Sequence, residues 1–236
     1  VVNTVVMIAT GVNADGRREV LGVQAGTSET AAGWNMFFAD LVARGLSGVR
    51  LVTSDAHAGL VDAVSANLSG TTWQRCRTHY AANLMSVTPK TQWPAVKAML
   101  HSVYDQPDRD SVHAQFDRLL DYVEDKLPAV AAHLDAARDD ILAFGDFPRD
   151  VWQQIWSNNP NERLNREIRR RTDSVGIFPN RDAIIRLVGA VLAEQTDEWA
   201  EGRRYLGLDV LARCRLNPLD HDPEQEEPTP ALLLSA

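Results

Sequence analysis

The chain has 236 residues, 44% of them hydrophobic, and its 24 basic and 32 acidic side chains leave a net charge of −8. That is enough apolar content for one sizeable core or two small ones, and the acidic balance argues against indiscriminate nucleic-acid binding while leaving room for a local basic site. Two cysteines argue against a disulfide framework and suit a reducing compartment such as the cytoplasm, and no apolar run is long enough to span a membrane. The sequence opens at Val1, without methionine and inside a strand-like run, and reads as a fragment.

In chain order, Val1 to Thr10 is β-branched and almost continuously apolar, the pattern of a strand buried on both faces. Asn13-Ala14-Asp15-Gly16 predicts a tight turn, and Arg18 to Ala25 the returning strand of a hairpin. Trp34, Phe37, Phe38, Leu41 and Val42 fall on one face of a helix that Gly45 stops. Val49 to Ser54 predicts a strand ending at Asp55. A helix follows through Leu60, Val61, Val64 and Leu68 to Gly70, then a short strand from Thr71 to Cys76 and a helix from about His79 towards Pro89.

From residue 89 to 150 every apolar pattern is helical, so this stretch predicts an all-helical insertion between two parts of an α/β domain, 1–88 and 151–212. Ile184, Leu187, Val188, Val191 and Leu192 mark one more amphipathic helix. From Asn217 to Pro230 there are four prolines and five acids without a Lys or Arg, which predicts a disordered acidic tail over 213–236.

Three stretches can carry chemistry. Asp55 stands at the carboxyl end of a strand, where open α/β sheets place their sites, although an aspartate after a strand is more often a helix N-cap than a ligand. Cys76-Arg77-Thr78-His79 has a metal-like spacing, but a structural zinc needs four ligands and no second pair is present. The favoured reading is a thiol packed under the sheet with His79 reaching towards the site or a phosphate.

The third stretch is Ser157 to Arg170, where a polar turn with a proline opens a helix. Glu162 falls in the first helical turn, where the helix dipole favours a carboxylate. Leu164 and Ile168 form a narrow apolar stripe, and Arg163, Arg166, Arg169, Arg170 and Arg171 cover the rest. One acid at the start of such a helix suits a phosphodiester-handling site, with metal at one end and phosphates alongside. A solvated helix with Glu162–Arg166 and Glu167–Arg171 pairs is the plainer alternative, and on spacing alone the stronger one. Trp73 and Trp93 read as core, whereas Trp152 and Trp156, just before Glu162, are the better candidates for stacking on bases.

Taken together, these stretches resemble the Mutator-type transposases of bacterial insertion sequences. The resemblance is carried by Gly11-Val12-Asn13-Ala14-Asp15-Gly16-Arg17-Arg18-Glu19-Val20-Leu21-Gly22, Ser54-Asp55-Ala56-His57-Ala58-Gly59-Leu60 and Trp73-Gln74-Arg75-Cys76-Arg77-Thr78-His79. It continues in Asn159-Pro160-Asn161-Glu162-Arg163-Leu164-Asn165 and in Arg169-Arg170-Arg171-Thr172 with Val175-Gly176-Ile177-Phe178-Pro179-Asn180, and runs in order to about Leu208.

The resemblance implies a ribonuclease-H-like fold, a mixed sheet flanked by helices and interrupted by a helical insertion before the last catalytic acid. It implies a D-D-E triad in which Asp55 matches the second acid and Glu162 the third, with Cys76 and His79 as the C-x-x-H signature between them. The first acid is expected on a strand ahead of Val1. Asp15 in the hairpin turn, Glu29 near a helix start and Asp40 on a helix do not replace it.

Two Mg²⁺ ions, for which Mn²⁺ substitutes, would be held about 3.5–4 Å apart by the carboxylates, Asp55 and Glu162 among them. Arg163, Arg166, Arg169 and Arg170, with Trp156, would hold DNA. The implied partners are the transposon's terminal inverted repeats and target DNA, met by a homo-oligomer in the bacterial cytoplasm at the nucleoid, with no membrane involved. Water would cleave at the transposon end and the freed 3′-OH would attack the target. Two alternatives stay open: a catalytically inactive DNA-binding or oligomerisation remnant, and a different ribonuclease-H-like nuclease or resolvase.

Overall fold

The computed structural model describes residues 3–215. Strand β1 (Val5–Val12) and strand β2 (Arg18–Gly26) form an antiparallel hairpin. Asn13 builds its turn: the side-chain oxygen accepts the backbone N–H groups of Asp15 and Arg17 at 3.0 and 3.1 Å, and Gly16 takes the left-handed φ of 74°. The register shifts between Ala9 and Thr10, leaving Leu21 as the extra residue of a bulge. β1 starts later than its apolar run predicts, and Val1 and Val2 lie outside the described residues.

Helix α1 (Ala31–Ala43) is capped by Thr30, whose side chain accepts the Gly33 N–H. Strand β3 (Leu51–Ser54), helix α2 (Ala58–Asn67) and strand β4 (Thr72–Arg75) then make a parallel crossover unit. The expected single mixed sheet is instead two separate two-stranded ribbons, one antiparallel and one parallel. No third strand joins them among the described residues, so each ribbon keeps edges without a strand partner.

One helical layer backs both ribbons. Phe37 and Leu41 of α1 and Leu60 and Val64 of α2 pack with Met7 of β1, and Leu21, Val49 and Val52 join them. The two helices cross closely at Gly59, where a Cβ would stand 2.6 Å from the Cα of Ala31. The alternate residues of the hairpin, Val6, Ile8, Val20 and Val23, face the other way. They pack on Leu164 and Ile168 of helix α9 (Asn159–Val175) and on Val188, Val191 and Leu192 of helix α10 (Arg181–Glu201). The unbroken apolar run of β1 is thus used on both faces.

Between β4 and α9 the chain is helical throughout, as its periodicity predicts. Helices α3 (Arg77–Val87), α4 (Trp93–Tyr104), α5 (Arg109–Glu124), α6 (Pro128–Asp135), α7 (Arg138–Leu142) and α8 (Trp152–Ile155) follow one another. Their core is built on Leu100, Phe116, Leu119, Leu134 and Phe144, and α3 contributes Tyr80 and Leu84 to it.

A last helix, α11 (Leu208–Arg215), has no counterpart in the sequence reading and takes up residues 213–215, the first of the expected tail. The acidic stretch beyond 215 lies outside the described residues. No helix among the described residues is long and apolar enough to cross a membrane.

Candidate active site

Asp55 follows the last residue of β3, and it does not cap α2: the N-cap there is His57. Ser54 is buried, taking a hydrogen bond from Trp73 Nε1 at 2.8 Å and donating one to the Asp55 carbonyl at 2.9 Å, which holds the backbone that presents the carboxylate. One strand over, the Cys76 N–H donates to the Ser54 carbonyl at 2.8 Å. Parallel pairing therefore sets the start of α3 beside Asp55.

His79 lies in the first turn of α3. Its Nδ1 abuts Oδ1 of Asp55 without the alignment of a hydrogen bond, and its Nε2 stands 3.4 Å from Oε1 of Glu162. Two carboxylates from distant parts of the chain stand one imidazole ring apart. The site is open to solvent, the side chains of Asp55, His79 and Glu162 being 55, 41 and 38% exposed.

The first turn of α9, which carries Glu162, is tied down on three sides. Asn161 Oδ1 accepts the Thr10 hydroxyl of β1 at 2.8 Å, and Asn159 Oδ1 accepts the Thr78 hydroxyl of α3 at 3.2 Å. The fully buried thiol of Cys76 takes the Asn158 N–H at 3.3 Å. Just upstream, the Arg77 N–H donates to the Trp156 carbonyl at 2.9 Å.

Burial raises the carboxyl pKa of Asp55 above its ordinary value, and the charges of Glu162 and Glu29 push the same way against His79 and Arg75. Asp55, Cys76 and His79 also bring three potential metal-ligand atoms within 4.8 Å of one another.

With this geometry in view, residues 1–202 match the family described as transposase, Mutator family. The chain belongs to the Mutator family of transposases. It is 66% identical, over 98% of its length, to the transposase for insertion sequence element IS1081 of Mycobacterium tuberculosis. It is 38% identical over 89% of its length to the transposase for IS406 of Burkholderia multivorans, and 35% identical over 86% to that for IS256 in transposon Tn4001 of Staphylococcus aureus. The chain spans 57, 54 and 52% of the length of these three relatives.

In this Mutator-family chain the arginines of α9 divide into two groups. Arg170 is held by both oxygens of Glu167 at 2.8 and 3.0 Å, and Arg171 bridges Glu167 and Glu194. These guanidinium contacts hold the Glu167 carboxyl down at about 2. Arg163, Arg166 and Arg169 are exposed and have no ion pair among the described residues. Of the two pairs that the plain reading of this helix expects, Glu167–Arg171 forms and Glu162–Arg166 does not, because Glu162 turns to His79.

Trp152 and Trp156 take the default core role and not the stacking one. Trp156 is 8% exposed and Trp152 2%, both in the helical core against Phe144, and the Arg77 guanidinium covers the Trp156 ring at 4.0 Å. Neither offers a face to a base. Trp93, expected in the core, is 40% exposed.

Glu29 does not match the first acid of the triad, yet its charge is felt at Asp55. It lies between the end of β2 and the N-cap of α1, and no periodicity marks it. Thr10, Thr78, Asn159 and Asn161 are likewise missed as supports. The polar run from Asn158 to Asn161 is a visible signal, but its partners are long-range.

Proposed function

We propose that this chain is the part of a Mutator-family transposase that brings Asp55 and Glu162 to a phosphodiester of DNA at the transposon ends, in a ribonuclease-H-like fold. The observation that carries the reading is the pair of carboxylates flanking His79. Asp55 is partly buried and stands in the field of Glu162, and these together outweigh His79 and raise its pKa, so its anion is favoured more once a cation arrives. Oxygen donors of this kind suit a hard divalent ion, so Asp55 and Glu162 would hold Mg²⁺, with Mn²⁺ as substitute. Bound there, the ion would supply the Lewis acid that strand cleavage and transfer need.

The protein's own contribution is positional. His79 spaces the two acids, Cys76 anchors the turn before Glu162, and Arg163, Arg166 and Arg169 lie ready for phosphates flanking the reacting one. Arg170 gives a weaker contact while Glu167 holds it. A homo-oligomer would bring two ends and a target together at the nucleoid.

The test is Mg²⁺- or Mn²⁺-dependent cleavage and joining of a labelled transposon-end duplex by this chain and by a version extended to the length of its relatives. Glu162→Gln is expected to lower the rate about 10³-fold, the equivalent of several kcal/mol of charge stabilisation. Activity in the extended form alone would mean that a third carboxylate comes from outside these residues. Absence of activity in both, with DNA still bound, would favour the inactive DNA-binding remnant. That second reading is motivated by the lack of an acid here that matches the first position of the triad.

A further inference from the structure

Beside the carboxylates lies a second feature, a cleft of about 460 Å³ between β2, the first turns of α9 and the end of α10. Arg18, Arg163 and Arg203 line it, and none of them has an ion-pair partner among the described residues. Glu198 also lines it, with its carboxylate engaged by the Gln195 amide at 2.8 Å. In a chain of net charge −8, three unmatched guanidinium groups around one hollow call for an anionic ligand.

Arg18 is preset for such a ligand. Its guanidinium carbon stands 4.5 Å from the ring centre of Trp199 and 4.6 Å from that of Tyr205. A guanidinium set over two rings is steadied by cation–π attraction, and its N–H donors, which no hydrogen bond among the described residues takes up, fit phosphate oxygens two at a time. The rings are themselves fixed. Trp199 packs against the core shared by α9 and α10, and the N–H groups of Tyr205 and Leu206 both donate to the Gly16 carbonyl, at 2.8 and 3.0 Å. Gly16 must be glycine for this, since a Cβ there would meet the Leu206 carbonyl oxygen at 2.1 Å.

The cleft adjoins the carboxylates. Arg163 follows Glu162 directly, and Asn159, another lining residue, accepts the hydroxyl of Thr78, the neighbour of His79. We propose that this cleft grips the phosphodiester backbone of the DNA strand next to the phosphate at Asp55 and Glu162, with Arg18 as its preset anchor and Arg163 and Arg203 closing on it. The proposal rests on the function set out above.

The experiment is fluorescence anisotropy of a labelled transposon-end duplex over a salt series, without divalent metal, on the unsubstituted chain and on Arg18→Ala, Arg203→Ala, Trp199→Leu and Arg17→Ala. Each lost phosphate contact lowers the slope of log K against log salt by about 0.9. Arg18→Ala and Arg203→Ala should each show that drop, together with weaker binding. Trp199→Leu should weaken binding at unchanged slope, because Arg18 keeps its charge but loses its preset orientation.

Arg17 donates to the carbonyls of Ala200 and Gly202, bracing the same walls from outside the cleft, so Arg17→Ala should lower Tm and leave the slope alone. Arg203 is exposed, so its variant carries the test if Arg18→Ala fails to fold. Unchanged slopes in both arginine variants, with DNA still bound by the parent, overturn the cleft and leave the proposed function standing. A parent chain that shows no salt-dependent binding overturns the cleft, and the proposed function is then judged by the cleavage and joining of the extended version alone.

Discussion

His79 meets its two acids through opposite ring nitrogens, so whatever one carboxylate does is felt at the other. Asp55 shows the cost of that arrangement. Its folded-state pKa is raised, chiefly by burial, so the stability it contributes is complete below the ordinary value of 3.8 and is lost as pH rises through the elevated one. At neutral pH the ionised group therefore weighs against the fold. Asp55→Asn is expected to raise Tm at pH 7 in the presence of chelator, with the gain shrinking as pH falls through the elevated pKa and gone below the ordinary 3.8. A Tm difference independent of pH would show that the carboxylate is not under strain from its surroundings.

At the scale of the element, α9 carries two opposed demands on one short apolar stripe. Leu164 and Ile168 are its buried side chains, and five arginines occupy much of the remaining surface. Such a helix is held by tertiary packing more than by its own propensity. Leu164→Ala is therefore expected to cost about 2–5 kcal/mol in urea unfolding. A cost well under about 1 kcal/mol would mean that the hydrogen bonds from Thr10 and Thr78 hold the helix instead. The stripe was legible because i,i+4 spacing is local, and so was the Glu167–Arg171 pair. That Glu162 would abandon Arg166 for His79 was not, since nothing within one helix turn records a partner on α3.

On the scale of the molecule, three hydrophobic clusters divide the work among the described residues. Asp55 follows a strand beside the α1–α2 cluster, His79 sits on a helix that feeds the cluster of α4 to α8, and Glu162 sits on a helix of the α9–α10 cluster. Strands and helices could be read from periods of two and 3.6, whereas Asp55, His79 and Glu162 were named by the family resemblance and not by their spacing. What stayed hidden depends on contacts far apart in the chain. The separation into two ribbons, the burial of Trp152 and Trp156 against Phe144, and the charge of Glu29 near Asp55 all belong there. An aromatic residue near a motif looks the same in sequence whether it faces a base or a core.

The Cys76 sulfur sits at the seam between the start of α3 and the turn that opens α9, accepting the Asn158 N–H and fully buried, while Cys214 on α11 is only half-buried. The chain thus carries its own clock for breathing at that seam. A thiol-reactive dye should label in two phases, Cys214 fast and Cys76 only when α9 lifts away, so the ratio of rates measures how often the two acids part company. Leu164→Ala should quicken the slow phase alone. Equal rates at both thiols would mean that the seam stands open much of the time, and that substrate or metal must close it.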